Sequence, residues 1–103
     1  MTWVTVANSN QIQPGDFLQV DTGTVFVLLC NVNGEFFAIE DQCTHDGSSM
    51  ATGCLEGDQI ICPRHGARFC LRNGAALTPP AYDAVQTFPV RINANQIEVD
   101  VPT

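Results

Sequence analysis

Short apolar segments separated by frequent turn signals make up most of the chain. Val, Ile, Phe and Thr are concentrated between turns such as Pro14-Gly15, Asn33-Gly34 and Asn73-Gly74. This pattern predicts β-strands of the kind found in an all-β sandwich or barrel. No window has the sustained 3.6-residue period that would predict a helix. The predicted strands cover residues 3–7, 17–20, 24–31, 35–40, 59–61, 67–71, 86–92 and 96–101.

Asn33-Gly34 gives the clearest prediction of a hairpin, between residues 24–31 and 35–40, because Asn-Gly supplies the positive φ angles of a tight primed turn. The six residues 25–30 are all apolar, which is typical of a central strand covered on both faces. Residues 43–52 and 73–83 fit no strand pattern. Loops of that length in a β domain are usually functional.

The 103 residues are enough for one domain, which we take as 1–103. Four Arg and eleven carboxylates give a net charge of −7, so nucleic acid is not an expected partner. The apolar run is far shorter than a membrane-spanning helix needs, and the N-terminal residues show no secretory signal. We therefore expect a soluble protein in the cytoplasm, with no membrane partner.

The five cysteines and two histidines carry the candidate chemistry. An odd number of cysteines argues against a fully paired disulfide scaffold, and in a reducing cytosol such residues more often bind metal or take part in redox chemistry. Both histidines follow a cysteine closely, in Cys43-Thr44-His45 and Cys62-Pro63-Arg64-His65. This spacing indicates a metal or cluster site on two facing loops. Structural zinc fingers usually group Cys with Cys and His with His, whereas the order here alternates. A zinc site is therefore the alternative interpretation and not the first one.

These residues resemble the Rieske family, whose signature is C-x-H, about sixteen residues, then C-x-x-H. The likeness extends to residues 43–47, 55–58 and 62–66, to Phe69 and to the Pro79-Pro80 pair, and so covers about the second half of the chain. It implies an antiparallel β-sandwich with a smaller cluster-binding part, about residues 42–81, at one tip.

The resemblance also implies one 2Fe-2S cluster. Cys43 and Cys62 would hold an inner iron, and His45 and His65 an outer, more exposed one. A proline-containing loop with Pro79 and Pro80 would cover the cluster. The other residues expected around the site are Thr44, Asp46, Gly47, Pro63, Arg64, Gly66 and Phe69.

The reduction potential is predicted from the ligands and from their surroundings. Two neutral imidazoles in place of two thiolates make the oxidised centre formally neutral, so Rieske centres lie at ~−150 to +300 mV and plant-type clusters near −400 mV. High-potential Rieske proteins carry an additional cysteine in each loop, where this chain has Ser48 and Arg64. They also carry hydroxyl donors, where this chain has Ala67 and Phe69. Each donor would stabilise the reduced state, so we expect a low potential.

The function that the resemblance implies is one-electron transfer from a flavin-dependent ferredoxin reductase to the terminal oxygenase of a ring-hydroxylating, non-haem iron dioxygenase. The chain would be an electron-transfer component and not itself an enzyme, and we expect a monomer. Two alternatives within redox chemistry are a Rieske-like small subunit of a reductase, such as nitrite reductase, and an accessory protein of iron-sulfur assembly. A third alternative is a zinc-stabilised interaction module.

Two further predictions concern residues outside the ligand set. Arg64, Arg68 and Arg72 are three of the four cationic residues, and this basic patch would orient docking, although Asp46 partly offsets its charge.

Cys30 lies in the most apolar segment, so packing in the core explains this cysteine best. A Cys54–Cys70 disulfide is conceivable, but the sequence gives it no support.

Overall fold

The computed structural model describes residues 2–103 and contains, within that range, ten β-strands and no helix, and therefore no helix that could span a membrane. The strands are β1 (Thr2–Asn8), β2 (Phe17–Asp21), β3 (Phe26–Val32), β4 (Glu35–Glu40), β5 (Cys54–Glu56), β6 (Gln59–Ile61), β7 (Arg68–Cys70), β8 (Thr87–Phe88), β9 (Val90–Asn93) and β10 (Gln96–Val101).

The strands form three antiparallel sheets. The terminal sheet has the order β1-β10-β9 and joins the two ends of the chain. The central sheet has the order β2-β3-β4-β8, and the small sheet the order β5-β6-β7. The all-β antiparallel fold expected from the sequence is confirmed.

The β3–β4 hairpin is the one that the Asn-Gly signal predicts. Asn33 and Gly34 have φ angles of 53° and 92°, and Val32 pairs with Glu35 across the turn. Positive φ at both central residues identifies a type I′ turn, whose twist matches that of the strands.

The central sheet is covered on both faces, because β3 contributes side chains to two separate cores. Leu28, Cys30 and Val32 pack into the core shared with the small sheet. Val27 and Leu29 point the other way, into the core shared with the terminal sheet. The alternation of side chains along a strand therefore explains why the whole segment is apolar. The expected central strand is confirmed.

Two strand predictions were wrong. Residues 86–92 do not form one strand, because Pro89 has no N–H to donate and separates β8 from β9. β8 pairs with β4 in the central sheet, and β9 pairs with β10 in the terminal sheet. The second error is the omission of β5, a strand of three residues that pairs with β6 across the turn at Gly57 and Asp58.

Arg72 connects the small sheet to the central sheet. Its Nε lies 3.1 Å from Oδ2 of Asp58 in the β5–β6 turn, and its Nη1 lies 3.4 Å from Oε1 of Glu35 on β4. The guanidinium also lies 5.1 Å from the centre of the Phe37 ring. These contacts hold the small sheet, and the loops that extend from it, against the rest of the protein.

Candidate metal centre

Two loops with the same backbone hydrogen bonds carry the Cys-His pairs. In residues 43–48, which we call the first cysteine loop, the N–H of Gly47 donates to the Cys43 carbonyl at 2.7 Å and the N–H of Cys43 donates to the Ser48 carbonyl at 2.8 Å. In residues 62–67, the second cysteine loop, the same two bonds run from Gly66 to Cys62 at 3.1 Å and from Cys62 to Ala67 at 2.7 Å.

A glycine closes each of these loops in the left-handed region of backbone conformation. Gly47 has a φ of 78° and Gly66 a φ of 74°. A residue with a Cβ is disfavoured there, because the side chain crowds the following carbonyl. The glycines that lie two residues after His45 and one residue after His65 therefore have a definite structural role.

The two cysteines of these loops are buried in the core between the central and small sheets. Cys43 is 1% exposed and Cys62 is 2% exposed. Burial raises the pKa of the Cys43 thiol, and the neighbouring Cys62 thiol raises it further. The backbone N–H groups of His45 and Asp46 point at the Cys43 sulfur and act in the opposite direction. The same N–H groups would stabilise a thiolate bound to a metal.

The two histidines lie at the surface of the protein. Both are exposed, and their ring centroids are 5.2 Å apart, with an interplanar angle of 88°. The structure therefore brings the two predicted sulfur donors together in the core and the two predicted nitrogen donors together at the surface, on the same two loops.

This donor set fits a 2Fe-2S cluster of mixed ligation, because one iron takes two thiolates and the other takes two imidazoles. A second grouping overlaps it. The ligand atoms of His45, Asp46 and His65 lie within 4.8 Å of one another, as in a site for a single cation. However, the Asp46 carboxylate already has partners. Oδ1 accepts the Ser48 N–H at 2.9 Å, and Oδ2 lies 3.5 Å from Nε of Arg64. The Ser48 N–H is the largest cause of the lowered Asp46 pKa, and the charges of Arg64 and His45 lower it further.

The segment that contains Pro79 and Pro80 is attached at both of its ends. Before it, the Leu77 N–H donates to the Arg68 carbonyl on β7 at 2.8 Å, and the Arg68 N–H donates to Oγ1 of Thr78 at 2.9 Å. After it, the hydroxyl of Thr44 in the first cysteine loop donates to the Asp83 carbonyl at 2.6 Å. The proline segment thus extends from β7 to the first cysteine loop.

These features match one known family. Residues 2–89 of this chain match the model of the family described as "Rieske [2Fe-2S] domain". The chain belongs to the Rieske family. The cofactor of this family is a 2Fe-2S cluster, so this chain is an iron-sulfur protein. Such a cluster carries single electrons.

The similar proteins include ferredoxins and a component of a dioxygenase complex. The 3-phenylpropionate/cinnamic acid dioxygenase ferredoxin subunit of Shigella flexneri serotype 5b (strain 8401) is 45% identical over 92 residues, which are 88% of this chain and 86% of the relative. The Sphingomonas yanoikuyae B1 ferredoxin has a TM-score of 0.92 and 27% identity, with 98% of this chain and 100% of that chain covered. A chain in the complex of reduced oxygenase and oxidised ferredoxin in carbazole 1,9a-dioxygenase has a TM-score of 0.89 and 32% identity, with 94% and 91% covered.

The other predicted residues of this Rieske chain have varied environments. Ala67 and Phe69 are fully buried and supply no hydroxyl group near the cysteines. Pro63 is exposed beside Arg64 in the second cysteine loop.

Each arginine of the basic patch has a carboxylate partner. Arg64 pairs with Asp46, and Arg72 pairs with Glu35 and Asp58. Arg68 Nη1 lies 3.1 Å from Oε1 of Glu56. The positive charge of the patch is therefore largely balanced within the protein itself.

The remaining cysteines of the Rieske chain are free. Cys30 has no exposed surface, and burial raises its pKa to about 12, so the structure confirms that it packs in the core. Cys54 and Cys70 lie on β5 and β7, which flank β6. Two strand spacings are about 9.6 Å, more than the ~7 Å that a disulfide can bridge.

Asp41 is a residue of the site that sequence reasoning missed. It follows β4 directly, is 9% exposed, and accepts hydrogen bonds from the Met50 N–H at 2.7 Å, the Ser49 hydroxyl at 2.7 Å and the side-chain amide of Gln19 on β2. The carboxylate thus fixes the segment after the first cysteine loop to the central sheet. The only sequence signal for it is an acidic residue at the end of a strand, which is more often exposed.

We predict that Asp41→Ala lowers the free energy of unfolding of the Rieske protein by about 2–3 kcal/mol, because three donors lose a charged acceptor. The exposed Asp16 provides the control, and we expect Asp16→Ala to change this free energy by less than about 0.5 kcal/mol. Urea unfolding under anaerobic conditions measures both values. Similar values for the two variants would show that the Asp41 network does not stabilise the protein.

Proposed function

We propose that this protein carries single electrons from a flavin-dependent ferredoxin reductase to the terminal oxygenase of a ring-hydroxylating dioxygenase. In this proposal it is a cytoplasmic monomer and an electron-transfer component, and the oxygenase performs the catalysis. The observation that carries the proposal is the pair of neighbouring, exposed imidazoles on the same two loops that carry two neighbouring, buried thiols. An electron then has a short route between the inside of the protein and a partner docked on its tip.

The proposed ligands are Cys43 and Cys62 for the inner iron and His45 and His65 for the outer iron. The cluster accepts and releases one electron when it is bound. The buried loop cysteines keep water from the sulfur side of the site, and the exposed histidines present the other side to solvent. We place the cluster-binding part at about residues 42–81 of the single domain 1–103, with Pro79 and Pro80 as a cover.

Two kinds of relative support the proposed partners. Relatives of nearly the same length are named as ferredoxin subunits of an aromatic-acid dioxygenase, and a similar chain occurs in a complex that contains an oxygenase and a ferredoxin. The present chain has the size of these relatives and the donor set of an electron carrier.

We further propose a low reduction potential, near the ~−150 mV end of the Rieske range. The buried side chains of Ala67 and Phe69 have no hydroxyl group to stabilise the reduced cluster. All five cysteines are free, so no disulfide joins the two cysteine loops. Hydrogen-bond donors to cluster sulfur raise the potential, and their absence lowers it.

The first test is an assay of iron, zinc and acid-labile sulfide in the purified protein, with EPR spectra before and after reduction and a potentiometric titration. We expect two irons and two sulfides per chain, a reduced signal of mixed Cys/His type and a potential below zero. One zinc without sulfide would overturn the electron-carrier proposal. A potential well above zero would overturn only the low-potential proposal.

A second prediction concerns the thiolate ligands. Cys43→Ser and Cys62→Ser should lose nearly all bound iron and sulfide, and their unfolding midpoints should fall, because metal-binding free energy is also folding free energy. Cys54→Ser is the matched control, since this exposed cysteine lies outside both cysteine loops. A fully loaded, folded Cys43→Ser protein would contradict the ligand assignment.

A third prediction concerns docking, for which we retain Arg64, Arg68 and Arg72 as candidates. At low ionic strength, Arg68→Gln should slow reduction of the oxygenase component of the 3-phenylpropionate/cinnamic acid dioxygenase by about two- to tenfold, because charge complementarity mainly sets the association rate. Stopped-flow absorbance measures the rate. Arg91→Gln, which makes the same charge change on β9, should leave the rate unchanged. If Arg68→Gln also leaves the rate unchanged, the docking role of Arg68 is wrong.

A further inference from the structure

The two cysteine loops have very few polar contacts with each other. Each loop closes its own backbone hydrogen bonds, and no backbone hydrogen bond runs between the loops in residues 2–103. Apart from the contact between the Cys43 and Cys62 thiols and the edge-to-face pair of the two imidazole rings, the Asp46–Arg64 ion pair is the polar side-chain contact that crosses from one loop to the other in this range.

The position of this ion pair relates it directly to the histidines. Asp46 is the chain neighbour of His45, and Arg64 is the chain neighbour of His65. The carboxylate and the imidazole nitrogens lie within 4.8 Å of one another. A change at either member of the pair therefore acts next to both rings.

The two oxygens of Asp46 divide their contacts between the loops. Oδ1 accepts the Ser48 N–H at 2.9 Å and so fixes the carboxylate within the first cysteine loop. Oδ2 faces Nε of Arg64 at 3.5 Å, in the second cysteine loop. The carboxylate is thus held in place by its own loop, and it presents a fixed negative charge to the other one.

Exposure limits what this pair adds to overall stability. The Arg64 side chain is 61% exposed and the Asp46 side chain 26% exposed. Ion pairs at such positions contribute little to the free energy of unfolding. Any effect of the pair is therefore local, on the separation of the loops and on the charge beside the imidazoles.

We propose that Asp46 and Arg64 form a positioning pair, which holds the two histidine-bearing loops at a fixed separation and balances the charge next to the outer iron site. The inference rests on the proposed ligand assignment. In this proposal neither residue binds iron, and the pair acts through the position of the adjacent histidines and through its charges.

The charges predict opposite effects of the two single substitutions on the potential. Reduction adds a negative charge to the cluster, which the Asp46 carboxylate opposes and the Arg64 guanidinium favours. Asp46→Asn should raise the reduction potential and Arg64→Gln should lower it. In the double variant the two electrostatic effects offset each other, so its potential should lie between those of the single variants.

The Asp46–Arg64 contact is lost in all three variants. Its effects can therefore be separated from those of the charges, which differ between the variants. Each should broaden or shift the EPR signal of the reduced cluster, and each should lose the visible absorbance of the cluster about two- to fivefold faster in a chelator. Arg91→Gln is the control. It removes the same charge from an ion pair with Glu98 in the terminal sheet, so it should leave the potential, the EPR signal and the rate of cluster loss unchanged.

The experiment measures these three quantities on the wild-type protein, the three variants and the control, each purified with its cluster. Opposite shifts of the potential in the single variants, with faster cluster loss in all three, would support the positioning role. If the wild-type protein shows the mixed-ligand signal and the variants behave like Arg91→Gln, the positioning role is wrong while the proposed function stands. A wild-type protein without a cluster would overturn both.

Discussion

The arrangement of the site depends on one constraint: two sulfur atoms must lie inside the protein while two imidazole nitrogens, only a few residues away, lie at its surface. Cys43 and Cys62 meet it by facing the core between the central and small sheets. Their loops then turn back within four residues, so His45 and His65 extend outward. Burial of the sulfurs needs a core on that face of β3, and the other face of β3 needs the terminal sheet as its cover.

The loop backbone by itself does not specify a ligand site. A third loop, residues 70–75, has the same two hydrogen bonds, from the Gly74 N–H to the Cys70 carbonyl at 2.7 Å and from the Cys70 N–H to the Ala75 carbonyl at 2.9 Å. Gly74 also has a positive φ, of 78°. This loop carries no histidine, and its buried Leu71 packs in the core, while Arg72 joins the sheets. The chain thus uses one loop design three times, twice with a histidine and once as a structural connection.

Much of the fold and the placement of the candidate ligands could be predicted from the sequence, because the signals involved are local. Asn33-Gly34 determines its own turn, and the Cys-x-His and Cys-x-x-His spacings place two donors on each loop. The rest depends on contacts between distant segments. The division of residues 86–92 into two strands depends on which sheet each half pairs with, although Pro89 in the sequence already indicates a break in the strand. The role of Asp41 depends on Ser49 and Met50 folding back onto the end of β4. The carboxylate partners of the arginines could not be predicted from the sequence, since they lie 7 to 37 positions away along the chain.

The burial of Cys30 limits the reaction of this thiol with oxidants. The thiolate is the form of cysteine that peroxide attacks, and a thiol with a pKa of about 12 stays protonated at every physiological pH. Oxidation to a sulfenic or sulfinic acid at this position would place a polar group in a strand that is buried on both faces, and burial together with the raised pKa disfavours the first step. Cys54, on the edge of the small sheet, is exposed instead. Of these two thiols, the one in the interior is therefore shielded from oxidation, and the one on the surface is accessible.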